Sequence, residues 1–211
     1  MQAETSPMLF TIRHPFVRIE NVLAEREIAE LLERVMALQP QFQSSVALNV
    51  TNPDDVRKSL VFNPPADLVR PVVDKVRAML AAVLTALRLP PIQTAEIESQ
   101  ITASNDGAFY GVHTDADNAQ MHRRYLTYVY YFNSPPKAFT GGELYLFDDV
   151  LRNNKLAIGE TFQAVQPDHN TMVLFWARIM HEVRPVSVPS KQFKDSRLTV
   201  NGWVNKAPGT P

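Results

Sequence analysis

From Ile97 onward the chain is cut into short β-type runs by closely spaced turn residues, and that cadence limits the fold more than any other feature. The runs are Ile97 to Ala103, Ala108 to His113, Tyr125 to Asn133, Glu143 to Phe147, Glu160 to Val165, Thr171 to Trp176, Met180 to Val186 and Arg197 to Val204. Asn105-Asp106-Gly107, Ser134-Pro135-Pro136, Gly141-Gly142, Asn153-Asn154 and Pro167-Asp168 separate them. Strands in succession with no helical stretch between them predict a sandwich or jelly roll rather than alternating β/α units.

The preceding part reads differently. Phe16 to Val22 suits a short strand, and Ala24 to Leu38 repeats Ile28, Leu31, Leu32, Val35 and Leu38 at helical spacing. Asn52-Pro53-Asp54-Asp55 is turn chemistry. A second helix is expected from near Pro71, whose fixed φ suits a first turn, to Pro90-Pro91. Its stripe runs through Val72, Val76, Met79, Leu80, Val83 and Leu87. Both stripes read as core contacts. The expectation is therefore an α+β, mainly β chain whose N-terminal helices cover one outer face of a β-roll. With 211 residues it fits one domain, over 16–204, with helical support at about 16–96 and the β core at about 97–204. Residues 1–15 would be an N-terminal segment and 205–211 a loose tail.

Lys+Arg number 21 against 22 Asp+Glu, so no general attraction to nucleic acid or to an anionic membrane is expected. Cysteine is absent, which removes disulfides, thiolate metal sites and thiol nucleophiles together. Any metal must be held by His and carboxylate. The opening residues lack the basic start and apolar run of a secretory signal, and Ala78 to Leu87 falls short of a membrane span. A cytoplasmic protein is expected.

Five histidines are present: His14, His113, His122, His169 and His181. In an extended segment residues two apart point the same way, so His113 and Asp115 can reach one ion together. His181 lies 68 residues beyond His113, in a later run. Two imidazoles and one carboxylate leave the opposite face of an ion open, as non-haem Fe(II) oxygenases require for co-substrate and O2. A His-x-Asp pair by itself also decorates ordinary surface turns.

Several motifs in order extend this reading. Tyr110-Gly-Val-His113-Thr-Asp115, Tyr130-Tyr131-Phe-Asn133, Gly141-Gly142-Glu-Leu144, Phe175-Trp176, His181-Glu-Val-Arg-Pro185 and Arg197-Leu-Thr-Val-Asn-Gly-Trp203 resemble the prolyl-4-hydroxylase-like branch of the 2-oxoglutarate/Fe(II) dioxygenases. Arg57-Lys-Ser59 is similar to an Arg-x-Ser element upstream in that family. The resemblance runs from about Phe16 to Val204. It implies a double-stranded β-helix (a cupin-like jelly roll) in which His113, Asp115 and His181 bind Fe(II). It also implies that Arg197 and Tyr131 take the distal carboxylate of 2-oxoglutarate, and that O2 is consumed, with ascorbate as an optional reductant. Related halogenases carry a small residue at the carboxylate position, so Asp115 argues for hydroxylation of an unactivated C–H; desaturation and ring formation stay open. Proline-type substrates, peptidyl or free, rank first, ahead of other amino acids and small metabolites.

Arg197 departs from the family pattern. It follows His181 by sixteen positions, later than in the family, and Lys191, ten positions after His181, is its rival. Arg197 is preferred because it opens the run Leu198, Val200, Trp203, whereas Lys191 sits in a lengthened loop. Arg57 and Trp203 are candidates for the substrate side. Each has a plainer reading, a solvated loop charge and a core aromatic. Trp176, Tyr125, Tyr128 and Tyr130 read as core, Gly141-Gly142 as a turn or a close backbone approach; Arg123 and Arg124 follow the His-x-Asp loop, where a lid usually lies, and at least one of them reads as ordinary surface. His14, His122 and His169 read as surface or turn residues, and Asp117 as a spare carboxylate. Two other functions remain: a cupin-like metal enzyme that does not use 2-oxoglutarate, and a non-catalytic β-roll that binds a partner. The oligomeric state is not legible.

Overall fold

The structure is a computed structural model and describes residues 10–45, 56–116, 121–152 and 155–208. The turn at Asn52 to Asp55, the turn at Asn153-Asn154 and Asp117 lie outside the described residues. In chain order the elements are β1 (Phe10–Ile12), β2 (Phe16–Glu20), α1 (Glu25–Ala37), β3 (Gln43–Ser44), β4 (Arg57–Lys58), β5 (Leu60–Phe62) and α2 (Ala66–Ala86). There follow β6 (Thr94–Ser104), β7 (Phe109–His113), β8 (Arg124–Tyr131), β9 (Thr140–Gly141), β10 (Leu144–Arg152) and β11 (Lys155–Val165). The last are β12 (Thr171–Trp176), β13 (His181–Val183), β14 (Val186–Ser187) and β15 (Arg197–Lys206).

Two antiparallel sheets carry the architecture. One has the order β2-β12-β8-β15-β6-β5-β3; the other runs β1-β10-β13-β7-β4, with β11 on the free side of β10. Period-2 alternation assigns the two faces of the first sheet. Leu126, Tyr128 and Tyr130 of β8 and Leu198, Val200 and Val204 of β15 cluster with Ile28, Leu31 and Val35 of α1 and Leu68, Val72 and Val76 of α2. Burial of each such aliphatic side chain contributes roughly 1.5–3 kcal/mol. The intervening residues face the other way: Val129 and Tyr131 of β8 and Val173 and Phe175 of β12 meet Leu144 and Leu146 of β10 between the sheets. On β15 this second face reads Arg197, Thr199, Asn201 and Trp203, all bordering one cavity.

Several expectations need correction. α2 begins at Ala66, not near Pro71, because Leu68 and Val69 extend the buried stripe backward and extended Pro65 caps the start. Pro71 therefore stands inside the helix, at the cost of one backbone hydrogen bond near its first turns. The N-terminal part also holds five short strands, β1 to β5, that edge both sheets. β1 falls within the segment expected to be separate, and β15 continues to Lys206. β10 and β11 form one long hairpin, paired from Leu144↔Val165 to Arg152↔Lys155 with a bulge between Phe147 and Asp149. Asp148-Asp149, which resembles a strand end, is held in it: Asp148 accepts from Thr161 Oγ1 at 2.7 Å, and Asp149 Oδ2 lies 2.9 Å from His14 Nε2. No helix of the described residues is long and apolar enough to cross a membrane.

One glycine lets three neighbouring strands of the first sheet pack closely. Beside Gly202 of β15, the Tyr128 ring reaches across to β6, its hydroxyl 2.6 Å from Ser99 Oγ and donating to the Glu98 carbonyl at 3.0 Å. A Cβ at Gly202 would lie 2.5 Å from the Tyr128 hydroxyl oxygen and closer still to the Glu98 carbonyl oxygen. Gly202→Ala is therefore expected to destabilise the fold by roughly 3 kcal/mol, read as a lower urea midpoint. An unchanged midpoint would contradict this packing.

Candidate metal centre

His113 ends β7 and His181 begins β13, and the two are direct partners in the antiparallel register. Chain separation is thus cancelled by strand pairing. Their rings stand 4.1 Å apart at 53°. Two residues beyond His113 the chain is tied to the opposite sheet's loop, the Asp115 amide donating to the Ala177 carbonyl at 3.0 Å, which turns the Asp115 side chain toward the imidazoles. Asp115 Oδ1 is 3.8 Å from His113 Nε2, and Asp115 Oδ2 is 3.4 Å from His181 Nε2. One ligand atom from each residue lies within 4.8 Å of the others, and Asp115 and His181 are buried.

The hydrogen bonds around the cluster fix which atoms face its centre. His113 Nδ1 lies 2.7 Å from the Gly111 carbonyl, and His181 Nδ1 lies 2.8 Å from the Ile179 carbonyl. A carbonyl only accepts, so Nδ1 carries the proton in both rings and each Nε2 presents a lone pair inward. Tyr110 stacks on the outer face of His113 at 3.5 Å and 15°, and Phe175 meets His181 edge-on at 4.9 Å. Thr127 Oγ1 donates to Asp115 Oδ2 at 2.6 Å. The Trp203 indole also favours the Asp115 carboxylate, but its Nε1 is buried and closes no hydrogen bond of normal geometry.

Burial pushes His113 down to about 3, helped by the neighbouring His181 and opposed by Asp115. Burial alone would raise Asp115; His181, His113 and the Thr127 hydroxyl outweigh it, so the net shift is downward. At neutral pH the set is therefore a neutral His113 imidazole beside a carboxylate, the protonation states a divalent ion needs.

A buried guanidinium stands nearby. Arg197 is 3% exposed, and no carboxylate lies within ion-pair distance of it among the described residues. Its Nε donates to the Gly142 carbonyl at 2.8 Å, and its head lies 5.0 Å from the Tyr131 ring centroid. Gly142 has φ +74°, and a Cβ there would come within 2.6 Å of Arg197 Cδ, so the glycine leaves the space that the arginine occupies. The Tyr131 hydroxyl is fully buried without a geometrically sound hydrogen-bond partner, and burial raises its pKa against the pull of Arg197. A buried cation with no ion-pair partner among the described residues, on which Glu143 acts only at longer range, and an orphaned hydroxyl beside it fit an anionic ligand.

Lys191 stands elsewhere. Its side chain is 75% exposed at a left-handed φ of 54° and reaches only Asp106, at 3.9 Å. The lengthened loop around it is pinned by buried Val188 and by Phe193, which begins a short 3-10 turn. Arg57 and Trp203 both border the cavity of about 940 Å3 that contains the cluster and Arg197. Arg57 lies over the Tyr110 ring at 4.6 Å, its Nε donating to Ser59 Oγ at 3.2 Å and its Nη2 to Gln100 Oε1 at 3.3 Å. Trp203 lies under Arg124 at 3.5 Å, and Arg124 pairs with Glu98 at 2.8 Å. His14 and His169 are engaged with Asp149 and the Asn133 carbonyl, away from the cluster. Trp176 packs against the core between the sheets.

Thr127 escapes the sequence reading; Gly142 and Arg124 enter it only as a close backbone approach and as part of a lid region, not as partners of Arg197 and Trp203. Thr127 alternates with buried Leu126 and Tyr128, and that period-2 pattern was the only available sign that it faces the cavity.

The comparisons with known proteins meet this geometry. Residues 99–205, which hold all three ligand candidates and Arg197, match the family described as the 2OG-Fe(II) oxygenase superfamily. The chain belongs to that superfamily. As the superfamily's name states, its members use Fe(II) and 2-oxoglutarate. An uncharacterized PKHD-type hydroxylase of Synechocystis is 36% identical over 190 residues, 89% of this chain; the chain spans 62% of that relative's length. Among solved structures, a prolyl hydroxylase from Trichoplax adhaerens, in complex with a hypoxia inducible factor peptide fragment, superposes with a TM-score of 0.67 at 20% identity, covering 90% of this chain and 83% of that one. A Pseudomonas putida prolyl-4-hydroxylase gives 0.65 at 20% identity, over 92% and 94% of the two chains. These structural likenesses establish the shared fold.

The low value at His113 has a consequence for stability. In the unfolded chain His113 takes a proton near 6.5, and in the folded one only near 3. The folded state binds fewer protons between these values, so stability is full above about 6.5 and falls as pH drops toward 3. The metal-free protein should lose urea resistance across that window, and His113→Gln should flatten part of the loss. An equally steep profile in the variant would contradict the assignment.

Proposed function

We propose that the chain is an Fe(II)- and 2-oxoglutarate-dependent dioxygenase that hydroxylates an unactivated C–H bond. Convergence of His113, Asp115 and His181 on one point, in one cavity with buried Arg197, which has no ion pair among the described residues, is the observation that carries this reading. The two facing sheets would be the halves of a double-stranded β-helix, and 16–204 would act as one domain.

His113, Asp115 and His181 would hold Fe(II), which with 2-oxoglutarate and O2 would supply oxidation of the C–H bond, the co-substrate ending as succinate and CO2. The chain's own residues hold and orient. Gly111 and Ile179 fix the two imidazole tautomers through their carbonyls. Thr127 occupies Asp115 Oδ2, which leaves Oδ1 as the freer donor. Arg197, pinned by Gly142, would take the distal carboxylate of 2-oxoglutarate with charge-assisted hydrogen bonds, and the Tyr131 hydroxyl would donate to the same group. Arg57 and Trp203 would border the substrate. A prolyl residue ranks first as the target, in line with the two structural relatives named as prolyl hydroxylases; free proline, other amino acids and small metabolites follow.

A cupin-like enzyme that ignores 2-oxoglutarate, or a non-catalytic roll, would give Arg197 and Tyr131 no ligand to satisfy. Protein prepared without oxygen, given Fe(II) and 2-oxoglutarate and then O2, should release succinate. Iron retention without succinate would refute the proposal.

Two substitutions sharpen it. Asp115→Ala should abolish succinate formation by removing the only carboxylate ligand. Arg197→Ala should raise the 2-oxoglutarate requirement by roughly 30-fold or more, the equivalent of about 2 kcal/mol for a buried charge pair that loses one partner. Lys191→Ala should leave that requirement unchanged; a rise there instead would contradict the role given to Arg197.

A further inference from the structure

The two sheets differ in what covers them. α1 and α2 pack on the outer face of the first sheet and bury its aliphatic side chains. The outer face of the second sheet has no such cover among the described residues. In β10 the even positions from Leu144 to Val150 are buried, whereas Tyr145, Phe147, Asp149 and Leu151 point the other way and stay half-exposed. Cross-strand partners in an antiparallel pair share a face. β1 therefore adds Phe10 and Ile12, opposite Leu151 and Asp149. β11 adds Leu156, Ile158 and Phe162, opposite Leu151, Asp149 and Phe147.

Every large apolar side chain that is exposed among the described residues lies on this face. Phe10 is 52% exposed and Leu156 62%, with Ile12, Ile158 and Phe162 close behind; Val112, beside the inward His113 of β7, completes the set. Apolar residues scattered singly over a surface are ordinary, but their concentration on one sheet face is not. The charges on the face are mostly neutralised within it. His14 pairs with Asp149 at 2.9 Å, and Arg184 pairs with Glu182 at 3.0 Å while lying over Tyr145. Arg152 and Lys155 are cross-strand partners that alternate with Leu151 and Leu156, so they point to the opposite side of the hairpin. Arg13 stands between the outward Ile12 and His14 and points away likewise. Glu160, at the bulge, is the acid left without an ion pair among the described residues. An apolar centre with a paired polar margin is the anatomy of a protein interface. An anionic lipid surface would instead call for cations on this face.

We infer that two copies of this chain pair through this face, outer sheet on outer sheet about a two-fold axis. A two-fold contact asks each copy for the same self-complementary patch, and an apolar patch with its charges already paired meets its own copy without repulsion at the centre. The size is sufficient. Three strands about 4.8 Å apart and the length of β10 at roughly 3.3 Å per residue give a patch of about 15 by 30 Å. That is about 450 Å2 in projection, at the level where a patch on a soluble protein marks a contact. With side-chain relief it approaches the roughly 800 Å2 per partner of a standard interface. Stacked in this way the two sheets form a sandwich across the axis, and each does for the other what α1 and α2 do for the first sheet. His113 and His181 point away from the face, so both cavities stay open. The pairing does not depend on the oxygenase reading.

The test is sedimentation of the full chain over a range of concentrations. The native protein should be dimeric at about 100 µM. Leu156→Glu and Phe162→Gln change exposed side chains and should leave the circular dichroism of the monomer unaltered. Leu156→Glu should raise the dissociation constant by about 100-fold or more, because the two-fold axis would bury two unpaired carboxylates. Phe162→Gln should raise it by about tenfold. A second measurement places the interface without touching the apolar residues. Because the chain has no cysteine, Glu160→Cys and Lys75→Cys each accept a single nitroxide label. Across the dimer the labels at 160, on the paired face, should be the closer pair, and those at 75, on exposed α2, the more distant one. A monomer at about 100 µM, a dimer indifferent to Leu156→Glu, or the reverse order of label distances overturns the inference. So does a chain that stays monomeric but co-sediments with vesicles of phosphatidylserine and phosphatidylcholine, since the face would then serve a membrane.

Discussion

Everything in the site depends on one strand pairing. His181 is set opposite His113 in the antiparallel register of β13 and β7. Two imidazoles separated by 68 residues thereby become neighbours with rings 4.1 Å apart. A slip of one residue would turn one of them to the other face of the sheet. Register at that point is held from both sides: β10 pairs His181 with Leu146, and Leu146 is fully buried between the sheets. The inter-sheet core therefore does more than stabilise the roll. It keeps both imidazoles on one side, where the loop tied at Asp115 to Ala177 can bring the carboxylate to them.

The proposed anion-binding part obeys the same economy of backbone. Burying Arg197 without an acid is unfavourable unless its donors find partners. The fold answers with the Gly142 carbonyl and with the absence of a Cβ at that glycine. The remaining capacity of the guanidinium and the unsatisfied Tyr131 hydroxyl are what the proposed 2-oxoglutarate carboxylate would satisfy. Metal-ligand set and guanidinium lie on facing walls of one cavity, and the period-2 alternation of β15 puts Arg197, Thr199, Asn201 and Trp203 on the same wall.

Much of this was legible in the sequence, for physical reasons. Turn residues and β-branched runs marked the core strands, because strands are short and end where glycine, proline and asparagine allow the chain to reverse. The His-x-Asp spacing marked two candidate ligands because extended residues two apart share a face. His181 was a distant residue that only the order of motifs singled out, since nothing local encodes register. The choice between Arg197 and Lys191 turned on a loop length, and the burial of Val188 and Phe193 that pins this loop has no local signal in the sequence. Alternation with Leu126 and Tyr128 shows only which way Thr127 faces; its hydrogen bond to Asp115 joins β8 to the loop after β7 and has no local signal. The full length of the β10–β11 hairpin was hidden by Asp148-Asp149, acidic residues whose partners, Thr161 and His14, lie far off in sequence or on another strand. Pro71 suggested a helix start, but the apolar stripe beginning at Leu68 outweighed it.

The most direct test of the account is anaerobic Fe(II) binding to the intact chain and to His181→Ala, followed by calorimetry. The account predicts one ferrous ion per chain for the native protein and loss of that site in the variant, with the fold retained. An equal stoichiometry and affinity in the variant would mean that His181 does not share an ion with His113 and Asp115, and the proposed centre would not stand.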